Sequence, residues 1–487
     1  MTPPIPVAAR RMLIGGELRD ALDGSTLDAL APATGALLGT VPAGGPADVD
    51  AAVGAAAAAY PAWRAAGPLP RAAAVEALAA AVAGHAEELA RLDAADNGRL
   101  LTEMRRDVTS AVAALRYFAG LALQLRGETV PSPGGELTWT TRIPFGVVGR
   151  IVPFNHPLMF AAAKIAAPLV AGNCVVLKPS EHTSLSALRL GELARDVLPA
   201  GVLNVVTGLG TTVGDALAAH PAVRRLAFTG SVATGRAVQR RAAETGVKTV
   251  TVELGGKNPL LVFPDADLDE AVAAAVRGMN FTWQGQSCGS LSRVVVHESV
   301  HDEFVERLVA RVAALRPGLP EDTGADTGAI VNRSQLEKVL GHVRIGVEDG
   351  ARLRTGGERV GDEGLADGLF VRPAVFTDVE AGSRLAQEEI FGPVLAVLRF
   401  GTEAEAIEIA NGVSYGLTAS VFTRDLGTAH RVAEQVDAGY VWINEVSRHL
   451  PGAPYGGVKD SGVGREEDFE ELLSYTQTKT VHVRFGS

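Results

Sequence analysis

Only two cysteines, Cys174 and Cys288, occur in 487 residues. Two thiols cannot staple a chain of this length, and no secretory apolar core follows Met1, so the expected home is the reducing cytoplasm. The ten histidines read as lacking a His-x-x-x-His pair and do not cluster with either cysteine, so no zinc site is expected. Positive charge is also in short supply: 45 Lys and Arg against 56 Asp and Glu give a net charge of −11, with both signs interspersed and no basic block. That pattern disfavours nucleic acid and anionic membrane as partners. The longest apolar stretch, 158–177, is interrupted by Lys164, Pro168 and Gly172-Asn173. It reads as a buried helix, a turn and a strand, and not as a membrane span. There is no repeat of fixed period and no long Gly/Ser linker.

What is present is enough apolar residue, 47% of the chain, to fill the cores of two or three domains. The Ala-rich segment 48–83 predicts a helical pair broken near Pro61 and at 68–70, and a third helical pattern covers 100–125. From Val147 onward, strand-type runs at 147–152, 174–177, 203–206, 225–228 and 250–252 alternate with helical spacing, which predicts a doubly wound parallel sheet. A second α/β unit begins beyond residue 256, with strands at 260–263, 293–296 and 394–397. A hairpin is expected over 127–141 and a half-buried strand over 475–484. These two isolated β segments need a sheet to pair with.

The chemistry concentrates between Glu253 and Cys288. Glu253-Leu-Gly-Gly-Lys257 opens this stretch and Gly285-Gln-Ser-Cys288 closes it. A carboxylate leaving a strand and a thiol in a polar, glycine-rich loop suit covalent catalysis, with the thiol as nucleophile and the carboxylate as a base for water. Cys174 falls inside a strand pattern and reads as packing. Phe228-Thr-Gly-Ser231 ends a strand and starts a helix, where backbone N–H groups attract phosphate, although any strand-to-helix turn can hold Gly and Ser. Lys178 and Glu181 follow the strand at 174–177, in position to bond ribose hydroxyls.

Glu-Leu-Gly-Gly-Lys followed some way on by Gly-Gln-x-Cys resembles the aldehyde dehydrogenase superfamily, and the similarity covers nearly the whole chain. The resemblance implies an α/β fold of three parts. A dinucleotide-binding domain takes 1–122 and 143–254, a catalytic α/β domain 255–466, and a small β oligomerisation element 123–142 and 467–487. It implies Cys288 as nucleophile, Glu253 as base, and Asn155 of Pro153-Phe-Asn-His-Pro157 as a donor to the oxyanion alongside the Cys288 N–H. For the cofactor it implies Lys178 and Glu181 on the adenosine ribose and Gly230 with Ser231 under the diphosphate. Glu389 and Phe391, from Glu388-Glu-Ile-Phe-Gly-Pro393, fall at the nicotinamide end. Glu181 would repel a 2′-phosphate, so NAD is expected ahead of NADP.

The implied activity is NAD-dependent oxidation of an aldehyde to its acid through a thiohemiacetal and a thioester. The implied assembly is a homodimer or homotetramer. The rivals are a CoA-acylating semialdehyde dehydrogenase, disfavoured by the carboxylate at 253, and a non-catalytic dinucleotide-binding protein of the same fold. Ala163 stands where many relatives carry Trp, near Leu158 and Phe160, which predicts room for a bulky or aromatic aldehyde. Arg448 points instead to an anionic one. Lys164 and Glu466 match positions suspected of relaying protons, against the alternative of a buried ion pair. His156 replaces the commoner aromatic residue after Asn155. Asn444 and Pro454-Tyr-Gly-Gly457 extend the match, with Arg448, His449 and Leu450 in its variable part.

Overall fold

The computed structural model describes residues 10–362 and 364–486. Its first sheet has eight strands, and the central five are parallel, in the order Leu203–Val205, Cys174–Lys178, Val147–Ile151, Val223–Thr229 and Thr249–Glu253. Val147–Ile151 and Cys174–Lys178 are buried at every position. Burial without alternation, here enclosing even Arg150 and Lys178, is the mark of a parallel sheet covered on both faces. Antiparallel strands finish the two edges: Met12–Ile14 with Glu17–Arg19 on one side and Gly462–Val463 on the other.

The second sheet has seven strands. Six are parallel, running from Ala374–Thr377 through Val394–Phe400, Arg293–His297, Pro259–Val262 and Thr418–Phe422 to Tyr440–Ile443. Thr476–Arg484 pairs with Glu136–Pro144, which turns back onto Thr129–Val130, so the two isolated β segments of the sequence find each other. One expectation fails: Pro61 lies inside the helix Pro46–Ala65, and the break comes at Gly67 before the helix Pro68–Gly84. Pro61 and Ala57, whose carbonyl loses its partner, are both exposed, so water satisfies that carbonyl and the helix continues. The sequence pattern also passed over the helix Ala86–Asn97, in which Ala and Leu are interspersed with charged residues and which carries the buried Asp93 and Asp96.

One helix positions the site. Pro157–Val170 is buried along nearly its whole length and follows directly on Asn155 and His156. A helix inside a core cannot leave its end groups to water, and here side chains satisfy them. At its start, the Leu158 N–H donates to Asp93 Oδ2 at 3.0 Å. At its end, Trp63 Nε1 donates to the Leu169 carbonyl at 3.1 Å and Arg71 Nε to the Val170 carbonyl at 3.0 Å. A carboxylate at the first turn and a guanidinium at the last both follow the helix dipole. Asp96 performs the same service for Leu185 at the start of the helix Leu185–Arg195.

Candidate active site

Cys288 sits in a tight loop between the helix Leu268–Gly278 and the strand Arg293–His297. The loop turns through left-handed backbone at Asn280, Gln284 and Gly285. At Gly285 a side chain would collide with the Gly392 carbonyl, so glycine is required there. Long-range bonds hold the loop from outside. Asn258, next to the Glu-Leu-Gly-Gly-Lys motif, donates from Nδ2 to the Cys288 carbonyl at 2.7 Å and the Ser290 carbonyl at 2.9 Å. The Gln286 carbonyl accepts from Asn155 Nδ2 at 3.1 Å and from Arg99 Nη2 at 3.0 Å. The Cys288 thiol is half-buried, and its backbone N–H donates to no group among the described residues.

Glu253 ends the strand Thr249–Glu253 at the carboxyl edge of the first sheet. Its side chain is buried, and Oε1 has no hydrogen-bond partner among the described residues. Burial, reinforced by the negative charge of Glu466, pushes the carboxyl up to about 8, while Lys164 and the Cys288 thiol pull the other way. The thiol itself is pushed well above its ordinary value, by burial first and then by the Glu253 carboxylate, with Tyr455 opposing. Carboxyl and thiol are electrostatically coupled: burial pushes both toward their neutral forms, and a charge on either makes ionising the other harder.

Asn155 is buried with its amide on the Gln286 carbonyl, and His156 beside it makes a pair that the sequence did not announce. His156 Nδ1 lies 2.8 Å from Asp107 Oδ2, both buried, and its ring meets Trp283 edge-on at 4.5 Å between centroids. Trp283 in turn donates from Nε1 to Glu103 Oε2 at 3.0 Å, under the Arg99 guanidinium. Glu103 and Asp107 lie on the helix Leu101–Gly120 and Arg99 just before it; no motif in the sequence marks any of the three.

On the cofactor side, Lys178 Nζ lies 2.8 Å from Glu181 Oε2, and Glu181 Oε1 accepts from the Gly210 N–H at 3.3 Å. Lys178 is buried, and burial lowers its pKa against the opposing pull of Glu181. Ser231 caps the helix Val232–Thr245 and remains exposed. The Gly230 N–H is already engaged by the Glu253 carbonyl at 3.1 Å, so it is not a free donor for phosphate. Glu389 Oε1 accepts from the Gly256 N–H at 3.1 Å and lies against Gly255, where any side chain would overlap its carboxyl group. Phe391, in left-handed backbone, packs edge-on against Phe154 at 5.6 Å. A narrow cavity is lined by Gly256, Ser287, Glu389 and Phe391, joining this end to the Cys288 loop.

Histidine spacing needs a correction. His297 and His301 do stand four apart, the interval of a metal-binding helix turn. His297, however, precedes the helix Glu298–Ala313 as its N-cap and bonds Ser299, while His301 Nδ1 pairs with Asp302 Oδ1 at 2.8 Å. Among the described residues no group of three or more His, Cys, Asp or Glu could hold a metal. Likewise, no helix among them is long and apolar enough to cross a membrane.

Comparison with known proteins gives a consistent picture. The sequence model of the aldehyde dehydrogenase family matches residues 20–481. The aldehyde dehydrogenase tropH of Talaromyces stipitatus is 43% identical over 494 residues, covering 99% of this chain and 96% of its own. The crystal structure of PnpE from Pseudomonas sp. WBC-3 in complex with nicotinamide adenine dinucleotide superposes with a TM-score of 0.96 at 40% identity, over 99% of this chain and 98% of PnpE. Betaine aldehyde dehydrogenase from Staphylococcus aureus in complex with NAD+ superposes with a TM-score of 0.96 at 36% identity, over 98% of this chain and 96% of its own.

Proposed function

The chain belongs to the aldehyde dehydrogenase family, and on that premise we propose that Cys288, Glu253 and Asn155 carry out its chemistry. The reaction is the NAD-dependent oxidation of an aldehyde to the carboxylic acid. The observation that carries the residue assignment is the buried Glu253 carboxyl, coupled to the Cys288 thiol and with its Oε1 free of any hydrogen-bond partner among the described residues.

Glu253 accepts the thiol proton, and the sulfur bonds the aldehyde carbon to give a thiohemiacetal. The charge developing on oxygen meets the Cys288 N–H, which is otherwise free, and the second N–H of the Asn155 amide. Bound NAD supplies the hydride acceptor, so the acyl group remains on Cys288 as a thioester. Glu253 releases the thiol proton to solvent, then takes a proton from water as the hydroxide adds to the thioester carbon; the C–S bond breaks, the acid leaves, and Glu253 returns the proton to the Cys288 sulfur. A carboxylate in this position favours hydrolysis over transfer to CoA.

The cofactor residues form a set that suits a dinucleotide. Lys178 and Glu181 offer a donor and an acceptor for ribose hydroxyls, and Ser231 stands at a helix start for the diphosphate. Glu389 and Phe391 serve the nicotinamide end. The carboxylate of Glu181 disfavours a 2′-phosphate, so NAD is preferred to NADP. We assign 1–122 and 143–254 to cofactor binding, 255–466 to catalysis, and 123–142 with 467–487 to a homodimer or homotetramer contact. Val481 and Val483 are the half-buried positions of that last strand, one face of which suits a neighbouring subunit. A free catalytic thiol suits a reducing compartment such as the cytoplasm.

Stopped-flow detection of NADH tests this reading. Cys288→Ala binds NAD but shows neither burst nor turnover. Glu253→Gln keeps its packing but loses the base, worth about 10²–10⁴-fold. It gives a burst if Glu253 acts only on water, or a slowed burst if it also takes the thiol proton, followed by near arrest in both cases. Near-normal steady turnover in either variant removes that residue from the mechanism.

A further inference from the structure

The Cys288 sulfur has a second polar neighbour, on the side of the chain that follows the catalytic strands. Tyr455 Oη lies 3.9 Å from Cys288 Sγ, and this hydroxyl makes no other hydrogen bond among the described residues. The tyrosine is 5% exposed. Its backbone is fixed by two hydrogen bonds to Glu466, from the Tyr455 N–H to the Glu466 carbonyl at 2.9 Å and back at 2.8 Å. Its ring lies 4.5 Å from the His449 ring and 6.0 Å from that of Tyr440. A side chain at Gly289 would stand 3.3 Å from Oη, so the glycine leaves the phenol room to reach the sulfur.

We propose that Tyr455 is the hydrogen-bond donor to the Cys288 thiolate. The inference rests on Cys288 being the nucleophile. When Glu253 takes the proton, the Sγ–H bond breaks and a carboxyl O–H forms, leaving an unshielded anion in a buried site. The Tyr455 O–H bond stays intact and points a donor at that anion, a charge-assisted bond about twice as strong as a neutral one. Burial and the negative groups around it hold the phenol well above its ordinary value, so it keeps its proton wherever the enzyme works. Thiol and phenol thus divide the task with Glu253, which removes the proton while Tyr455 steadies what remains. A buried tyrosine that served only as a wall of the aromatic cluster would lose nothing on becoming phenylalanine.

The test uses Tyr455→Phe in the full-length enzyme, after its melting temperature and NAD binding are checked against wild type. Alkylation of Cys288 by iodoacetamide is followed by mass spectrometry across pH. Cys174 stays silent because it is buried and its thiol is pushed up to about 12. The expected result is an alkylation profile displaced upward by about one pH unit, hence about tenfold slower at neutral pH. The NADH burst slows by a similar factor at neutral pH and recovers at high pH, with KM for NAD unchanged. If the phenylalanine variant does not fold, 3-fluorotyrosine at 455 carries the test: a more acidic phenol donates better and moves the profile downward. Superposable profiles overturn the proposal. If alkylation of Cys288 in the wild-type enzyme leaves dehydrogenase activity intact, it is the nucleophile assignment that falls.

Discussion

Lys164 Nζ lies 2.6 Å from Glu466 Oε2, while Arg150 Nη2 approaches Oε1 of the same carboxylate at 2.6 Å. All three groups are buried. Burial opposes ionisation of Glu466, but Lys164 and Arg150 more than offset it and hold the carboxyl well below its usual range. Burial likewise opposes the Lys164 ammonium, and Glu466 more than restores it. Both groups are locked in their charged forms near neutral pH. A group that does not change protonation is a poor relay, so the triad reads as a fixed ionic support whose charges act on Glu253 in opposite senses, Glu466 raising its pKa and Lys164 lowering it.

That support has a measurable consequence. Glu253 works as a base only when ionised, so hydrolysis of the thioester rises with pH through about 8 and levels off above it. Lys164 pulls the Glu253 pKa down, so Lys164→Met moves this limb to higher pH, with a loss near neutrality that alkali restores. Single-turnover rates of thioester hydrolysis across pH check the shift. A loss that is uniform at all pH values would favour a relay instead.

Cofactor choice turns on one carboxylate. The ratio of kcat/KM for NAD over NADP favours NAD, and Glu181→Gln narrows it by about tenfold, equivalent to about 1.4 kcal/mol. Lys178 remains in place in the variant, so NAD binding weakens without being abolished. A wild-type preference for NADP would mean that Glu181 does not face the ribose.

If Ala163, half-buried on the helix Pro157–Val170, opens the substrate pocket, it sets the size of the aldehyde accepted. Aromatic aldehydes are expected to exceed acetaldehyde in kcat/KM by about tenfold, about 1.4 kcal/mol of transition-state binding. Ala163→Trp reverses the order. A carboxylated semialdehyde with the highest value would transfer the choice to Arg448.

Much of this protein was legible in its sequence. The largely apolar, non-alternating runs at 147–151 and 174–178 announce a covered parallel sheet, because only strands buried on both faces have no use for alternation. The Glu253 and Cys288 motifs were legible too, although their glycines answer distant groups, Gly285 the Gly392 carbonyl and Gly255 the Glu389 carboxyl. Their chemistry is written in residue type and needs no knowledge of what lies opposite.

Tertiary structure alone chose the partners. Glu466 meets Arg150 across 316 positions and Lys164 across 302, Arg99 reaches Gln286 across 187, and Tyr455 approaches Cys288 across 167. Asp107 carries no signal in the sequence, and only the packing of the helix Leu101–Gly120 turns it onto His156. Pro61 looked like a helix break until its exposed setting let water complete the backbone. Periodicity reports how deeply a position is buried, since that depends on its own element. Which charge or hydroxyl a buried group meets depends on how distant elements pack, and the pKa of Glu253 is set there.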